Sequence, residues 1–266
     1  MQLEIVIIKL SILDIEIYLI LNNYFLFKFI MKGIIMKIAI VTSIKAPYRT
    51  LQFKEISKNK DFEISVYYTK KGDEGRKWQS INSNSFREEY LENISIFDKL
   101  GTLNKGLNKI IKNNDVIFLG GYEKPTYIIL SILCRLYKKK YIIIYDGISC
   151  NKLYKKENKI KKFIKGFVIN SSSAIWGNGT VSRKYFSEVF NYPGNKIYNQ
   201  YLTIDGEMIK KIGKEKKIIR EELRKKYGIS NYDKVLHYSG RVIKLKNIES
   251  IIKALNKIKD ENIILL

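Results

Sequence analysis

From Met36 onward, apolar residues fall in short continuous runs that alternate with stretches in which they recur every three or four positions. A run of four to six apolar residues is typical of a strand buried on both faces, and the second spacing is typical of an amphipathic helix. The alternation favours an α/β fold with a parallel sheet. The predicted strands are 38–42, 64–68, 116–119, 141–145 and 174–177, and the predicted helices are 50–59, 103–111, 126–137, 155–168 and 181–190.

The same pattern resumes in the last quarter of the chain, after a charged helical stretch at 207–227. A strand is predicted at 234–239, a helix begins at Ile248, and the apolar run 263–266 predicts another strand. Residues 70–92 are polar and irregular, and they predict a loop too long for a simple connection. Loops of that length often carry function, so we expect this one to face a substrate.

The connection between the predicted strand 234–239 and the helix after it contains Gly240, Arg241 and Lys246. Gly240 lets the backbone turn where the strand ends. Two cations five residues apart then precede a helix N-terminus, an arrangement that attracts a phosphate or diphosphate. The spacing alone fits equally well a solvated basic loop in a lysine-rich chain.

The segment 238–255, "YSGRVIKLKNIESIIKAL", resembles the start of the second domain of family 4 glycosyltransferases, which are retaining enzymes with the GT-B fold. The likeness extends to 36–69, with its "APYR" loop, and to 115–147, and altogether it spans 36–266. It implies a complete Rossmann-like N-terminal domain at 36–200 on the acceptor side. It also implies the start of a second Rossmann-like domain, the nucleotide-sugar-binding one, at 201–266.

By this resemblance, Arg241 and Lys246 hold the diphosphate of a nucleotide-sugar donor, and Gly240 belongs to the same donor-binding loop. The two cations would be catalytic by stabilising charge on the leaving diphosphate, with no metal or cofactor implied. The reaction implied is transfer of a sugar to a glycan or polyprenyl-linked acceptor in bacterial surface polysaccharide synthesis. The family's later glycine-rich turn and glutamate pair are absent, so we expect a C-terminally truncated and inactive fragment.

Three further candidates follow predicted strands in the first domain, where open α/β sheets bind ligands. They are assigned to the acceptor or cleft: Tyr48 and Arg49, then Gly121 and Tyr122, then Asp146. Each has a structural alternative. Pro47 can simply begin a helix, paired glycines can make a tight turn, and Asp146 can cap the next turn.

The formal net charge is +23. An AT-rich genome explains the larger share of the lysine excess, but 152–165 holds seven lysines against Glu157 alone. Such a cluster favours an anionic membrane surface, which predicts a cytoplasmic enzyme at the inner face of the membrane. We expect no nucleic-acid partner, because no helix-turn-helix, zinc-ligand or RNA-binding signature occurs. The alternative function is a non-catalytic basic protein that binds anionic membrane or nucleic acid.

The cysteines and the first 35 residues add little to the functional assignment. Cys134 and Cys150 form no CxxC pair, which fits a reduced cytoplasm. Residues 1–35 are hydrophobic, but Asn22, Asn23 and Lys28 interrupt them, and they fit neither a spanning helix nor a signal peptide. We expect Met36 to be the true start. The alternative is a membrane-associated hydrophobic arm.

Overall fold

Seven parallel strands form the sheet of the first unit of this computed structural model, in the order β3-β2-β1-β4-β5-β6-β7. Ile38 of β1 pairs with Ile64 on one side and Val116 on the other, which places β1 and β4 at the centre. The strands are β1 (Met36–Thr42), β2 (Phe62–Tyr68), β3 (Arg87–Tyr90), β4 (Val116–Leu119), β5 (Lys140–Tyr145), β6 (Ala174–Gly177) and β7 (Ile197–Asn199).

The structure describes residues 35–72, 83–94, 101–201, 204–258 and 262–266. The chain divides into two compact units, Met1–Ile204 and Asp205–Leu266. The expectations for the hydrophobic segment 1–34 lie outside the described residues, as does much of the predicted loop 70–92.

Helices cover both faces of the seven-stranded sheet, as the alternating pattern predicts. Successive side chains of a strand point to opposite faces, so Ile117 and Phe118 of β4 belong to two different core clusters. The helices of this unit are α1 (Pro47–Ser57), α2 (Leu107–Asn113), α3 (Pro125–Leu136), α4 (Asn151–Tyr154), α5 (Lys159–Asn170) and α6 (Gly179–Lys184), which continues as a π-helical turn, Tyr185–Val189.

The sequence prediction was wrong about the end of the polar segment 70–92, because β3 lies within it. Arg87 to Tyr90 pair in parallel with Ser65 to Tyr68 of β2. β3 lies at one edge of the sheet and all four of its residues are partly or fully exposed. An edge strand needs no apolar run, since one of its sides and much of its surface face water. The sequence "REEY" of β3 is therefore polar, as a loop would be.

The second unit contains a β-α-β element. β8 (Lys234–Leu236) and β9 (Ile263–Leu265) are parallel, and α9 (Ile248–Leu255) lies between them in sequence. The predicted strand 234–239 ends three residues early, and His237, which that prediction places in the strand, is exposed. The charged stretch forms two helices, α7 (Gly206–Lys214) and α8 (Lys216–Tyr227). Arg224 fastens α8 to the following loop by donating to the carbonyls of Ser230 and Asp233.

Among the described residues, no helix is both long and apolar enough to cross a membrane.

We predict that Ile143→Ala lowers the free energy of unfolding by about 2–5 kcal/mol, because Ile143 is fully buried at the centre of β5 and its truncation leaves a cavity. Ile132→Ala is the matched control, since Ile132 lies on α3 with 40% of its surface exposed and alanine favours a helix. Urea unfolding followed by tryptophan fluorescence measures both. Equal losses for the two variants would contradict the placement of β5.

Candidate functional site

The sheet reverses its strand order between β1 and β4, because β2 and β3 lie on one side of β1 and β4 to β7 lie on the other. The connections that leave these two neighbouring strands therefore depart in opposite directions and leave a crevice at their carboxyl ends. Ligands of open α/β sheets bind at such a switch point. A cavity of about 260 Å³ lies there, lined by residues that follow β1, β4 and β5, namely Ser43, Ile44, Ala46, Tyr48, Arg49, Gly120, Asp146 and Gly147, with Thr42, Ile144 and Tyr145 from the strand ends.

Arg49 and Asp146, two of the sequence candidates, meet in this cavity as an ion pair. Arg49 Nη2 donates to Asp146 Oδ1, and Tyr48 Oη donates to Asp146 Oδ2 at 2.9 Å. The arginine side chain is 9% exposed, whereas the aspartate side chain is 48% exposed. Asp146 therefore presents a carboxylate to the cavity, while Arg49 is buried behind it.

Two glutamines that the sequence analysis did not single out complete the shell around Arg49. Arg49 Nη1 donates to Gln52 Oε1 at 2.6 Å and to Gln200 Oε1 at 2.8 Å. Gln200 is fully buried, and its Nε2 donates to Asp146 Oδ1 at 3.2 Å and to the Tyr145 carbonyl at 3.3 Å. These acceptors satisfy a buried guanidinium, which otherwise would be costly. We name this group, Arg49, Gln52, Asp146 and Gln200, the Arg49 network.

The Arg49 network changes the role of one sequence candidate. Arg49 was assigned to the acceptor or cleft, but its donors are directed at three protein side chains. Gln200 directly follows β7 and makes the buried contacts, whereas the nearby polar residues Asn199 and Asp205 bind elsewhere. Asn199 accepts from the Gly179 amide and Asp205 caps α7 through the Met208 amide. A single glutamine after a short strand has no sequence signature.

The structure also corrects the placement of Gly121 and Tyr122. Neither lines the cavity, and Tyr122 is fully buried in the core, where its ring packs on Tyr145 and Phe186. Burial raises the pKa of the Tyr122 phenol far above its ordinary value. Of the two adjacent glycines after β4, Gly120 lines the cavity, and its added Cβ would lie 2.9 Å from the Thr42 Cα. Gly120 is thus required by the close approach of β4 to the end of β1.

Charged side chains also hold the loops around the cavity in place. Lys45, in the loop after β1, makes a 2.6 Å ion pair with Glu88 of β3, and both side chains are mostly buried. Lys124 Nζ donates to Ser43 Oγ at 2.7 Å, which ties the loop after β4 to the loop after β1. These contacts make the crevice a preformed surface.

The second unit contains the candidate donor-binding residues in the loop between β8 and α9. Arg241 and Lys246 are both exposed, and Lys246 ends a 3₁₀ turn directly before Asn247, the N-cap of α9. Within the described ranges neither side chain has a carboxylate partner. Tyr238 Oη donates to the Arg241 carbonyl at 3.0 Å, and an added Cβ on Gly240 would lie 2.6 Å from that hydroxyl. Because Gly240 has no Cβ, the Tyr238 side chain can lie against the loop and make this hydrogen bond.

Among the residues that the structure describes, no three His, Cys, Asp or Glu side chains are grouped so that they could hold a metal ion.

No protein-family model and no curated protein matches this chain in sequence. Among solved structures, it is similar to Arabidopsis thaliana UGT89C1 complexed with UDP-L-rhamnose, with a TM-score of 0.50 and 10% identity over 86% of this chain and 68% of that chain. The quercetin complex of the same protein gives a TM-score of 0.48, also at 10% identity and with the same coverage. At this identity the likeness is one of fold. The chain has the α/β, Rossmann-like architecture of GT-B glycosyltransferases.

We predict that Arg49→Met lowers the free energy of unfolding by about 3 kcal/mol, because it leaves buried Gln52 and Gln200 and the Asp146 carboxylate without their donor. Arg87→Met is the matched control, since Arg87 pairs with Glu89 at the surface with 64% of its side chain exposed, and it should cost under about 1 kcal/mol. Urea unfolding measures both. A small effect of Arg49→Met would show that the Arg49 network does not hold the site together.

Proposed function

We propose that this chain belongs to a glycosyltransferase that moves a sugar from a nucleotide-sugar donor to an acceptor. The observation that carries the proposal is the β8–α9 loop, where Arg241 and Lys246 are exposed, have no carboxylate partner among the described residues, and precede a helix. Cations and a helix N-terminus together suit a diphosphate. The GT-B fold favours this reading over a solvated basic loop, and the similar structure of that fold, UGT89C1, was solved with UDP-L-rhamnose.

In the proposed reaction, the nucleoside diphosphate is the leaving group. Arg241 and Lys246 would bind its phosphate oxygens and stabilise the negative charge that grows on them as the glycosidic bond to the sugar breaks. Both contacts would be stronger in the transition state than in the ground state, since the oxygens gain charge as the bond breaks. In this proposal the two cationic side chains of the β8–α9 loop supply the stabilisation.

The first unit is proposed to be the acceptor side, with residues 36–200 as its domain and 201–266 as the donor-side domain. Asp146 offers a half-exposed carboxylate, and Tyr48 lies beside it in the crevice. A carboxylate held in this way can accept a hydrogen bond from a sugar hydroxyl. Gly120 takes the place of Gly121 and Tyr122 in the proposed acceptor cleft.

The finer assignment follows the sequence resemblance. We propose a retaining, family 4 type of transfer to a glycan or polyprenyl-linked acceptor in the synthesis of a surface polysaccharide. A cytoplasmic location suits such an enzyme, because nucleotide-sugars are made there.

We predict that Arg241→Ala and Lys246→Ala each weaken the binding of UDP and UDP-glucose by about 10- to 100-fold, because each removes a charge-assisted contact to phosphate. Lys244→Ala is the matched control, since Lys244 is an exposed lysine of the same loop that the proposal leaves without a role. Isothermal titration of the full chain measures all three, with uridine as a ligand that lacks the diphosphate.

Two outcomes would contradict this proposed function. If Lys244→Ala weakens UDP binding as much as the other two variants, the loop is merely a basic surface. If the chain binds neither UDP nor UDP-glucose but binds anionic vesicles or oligonucleotides in a salt-sensitive way, the non-catalytic alternative is correct.

A further inference from the structure

Helix α5 has two apolar faces, although a helix that covers a sheet needs only one. Val168 and Ile169 are fully buried in the core. Ile160, Phe163 and Ile164 are 71%, 77% and 39% exposed. At about 100° per residue, these three share an arc of roughly 100°, centred on the far side of the helix from the buried pair. The first half of α5 therefore carries an apolar stripe, defined as Ile160, Phe163 and Ile164, that faces away from the core.

Lysines flank this apolar stripe on both sides. Lys159 and Lys161 lie about 100° from its centre in opposite directions, and Lys162 lies behind it. Lys155 and Lys156 precede the helix, and all five lysines are exposed. In the described part of the chain no carboxylate forms an ion pair with any of them. A positive surface with an apolar centre results.

Glu157 is the acidic residue of the segment 152–165, and its charge is paired by Lys165 instead of by the five exposed lysines. Glu157 accepts from Lys165 at 2.6 Å, and Lys165 also contacts Glu123, which follows β4, at 2.8 Å. Although burial alone would raise the pKa of Glu123, Lys165 and Lys152 hold it below its ordinary value, so this carboxylate stays charged. The ion pairs anchor the middle of α5 to the carboxyl edge of the sheet, the edge that also forms the crevice.

A groove beside the apolar stripe extends the apolar surface. It has a volume of about 650 Å³ and lies between α5 and residues 189–191. Phe163, Phe167, Val189 and Phe190 supply apolar walls, and Lys159 and Lys162 stand on its rim. The apolar stripe and the groove share Phe163 and together form one apolar surface, which is concave at the groove and has lysines at its edge.

We propose that the first half of α5 docks on an anionic lipid bilayer. Phe163, Ile160 and Ile164 enter the boundary between headgroups and acyl chains, and the lysines contact the headgroup phosphates, as in interfacial amphipathic helices. Charge complementarity selects an anionic surface. Of the three residues of the apolar stripe, Phe163 has a ring on which a base could stack, whereas Ile160 and Ile164 do not, so the stripe favours lipid over single-stranded nucleic acid. The docking surface goes beyond the proposed transfer activity and is independent of it.

Ion pairs connect the docking surface on α5 to the edge of the sheet that forms the crevice. Glu123 and Lys165 join α5 to the loop after β4, and Lys152 Nζ lies 3.4 Å from the same Glu123 carboxylate. The hydroxyl oxygen of Tyr145, a residue that lines the crevice, lies 3.5 Å from Lys152 Nζ. Docking through α5 therefore holds the crevice edge of the sheet near the bilayer surface, where a lipid-linked molecule can reach it.

We predict that the full chain co-sediments with vesicles made of equal parts phosphatidylglycerol and phosphatidylcholine, and not with phosphatidylcholine vesicles. Lys159→Gln, Lys161→Gln and Lys162→Gln combined should weaken this binding about 100-fold, at about fivefold per lysine. Ile160→Ser with Phe163→Ser should weaken it at least about tenfold. All of these side chains are exposed, so the melting temperature should stay unchanged.

The matched control removes three exposed lysines elsewhere in the first unit, with Lys54→Gln, Lys60→Gln and Lys109→Gln combined. It changes the net charge equally and should leave vesicle binding within about twofold of the unaltered chain, since no large apolar side chain is exposed in 47–72 or 101–119, where these lysines lie. A second readout is Phe163→Trp, whose emission should shift to shorter wavelength with anionic vesicles alone.

Three results would overturn the docking surface. One is equal weakening by the two lysine triples, which would mean that only net charge matters. Another is vesicle binding that survives the Ile160 and Phe163 changes without loss. The third is tighter, α5-dependent binding to an oligonucleotide or to a second copy of the chain. None of these results affects UDP binding, so the proposed function is tested separately.

Discussion

The parallel alignment of seven strands is the constraint on which the rest of the first unit depends. Parallel neighbours need a crossover between them, so helices cover both faces and the central strands are buried on both sides. Every connection that leaves a strand then starts at the same edge of the sheet. Because the strand order reverses between β1 and β4, that edge contains a crevice. The location of the candidate site thus follows from topology before any side chain is considered.

The Arg49 network shows how a charged residue near a crevice can stabilise the fold by connecting its elements. Arg49 is on α1, Asp146 follows β5 and Gln200 follows β7, so one guanidinium joins three elements that are distant in sequence. Burial of this charge is tolerable because both terminal nitrogens of the guanidinium donate to oxygen acceptors. The same contacts orient Asp146 toward the cavity. The exposed Arg241 and Lys246 of the second unit contrast with this arrangement, since their charges remain available to a ligand.

Sequence patterns predicted the central strands because those strands are buried on both faces. The run at 141–145 is continuous and apolar, and the structure has β5 at Lys140–Tyr145. β3 could not be predicted in this way, since an edge strand with the sequence "REEY" has no apolar run. The α/β, GT-B-like fold class is confirmed, although no sequence family model matches the chain.

Site residues were harder to predict than strands because a motif does not say which way its side chains point. Two adjacent glycines after β4 suggested a cleft, but only Gly120 lines it, and Tyr122 turns into the core. Gln200 gave no signal, since a buried hydrogen bond between residues 151 positions apart leaves no trace in a single sequence. The exposed stripe on α5 was hidden for a similar reason. Its apolar residues look like core residues until the second, buried face of the same helix is known.

Hydrogen–deuterium exchange of the full chain with and without UDP-glucose tests the central claim most directly. The account predicts that the nucleotide-sugar protects backbone amides of the β8–α9 loop, around Gly240 to Asn247, and that a variant carrying both Arg241→Ala and Lys246→Ala loses this protection. Unchanged exchange throughout that loop at saturating UDP-glucose would contradict the account.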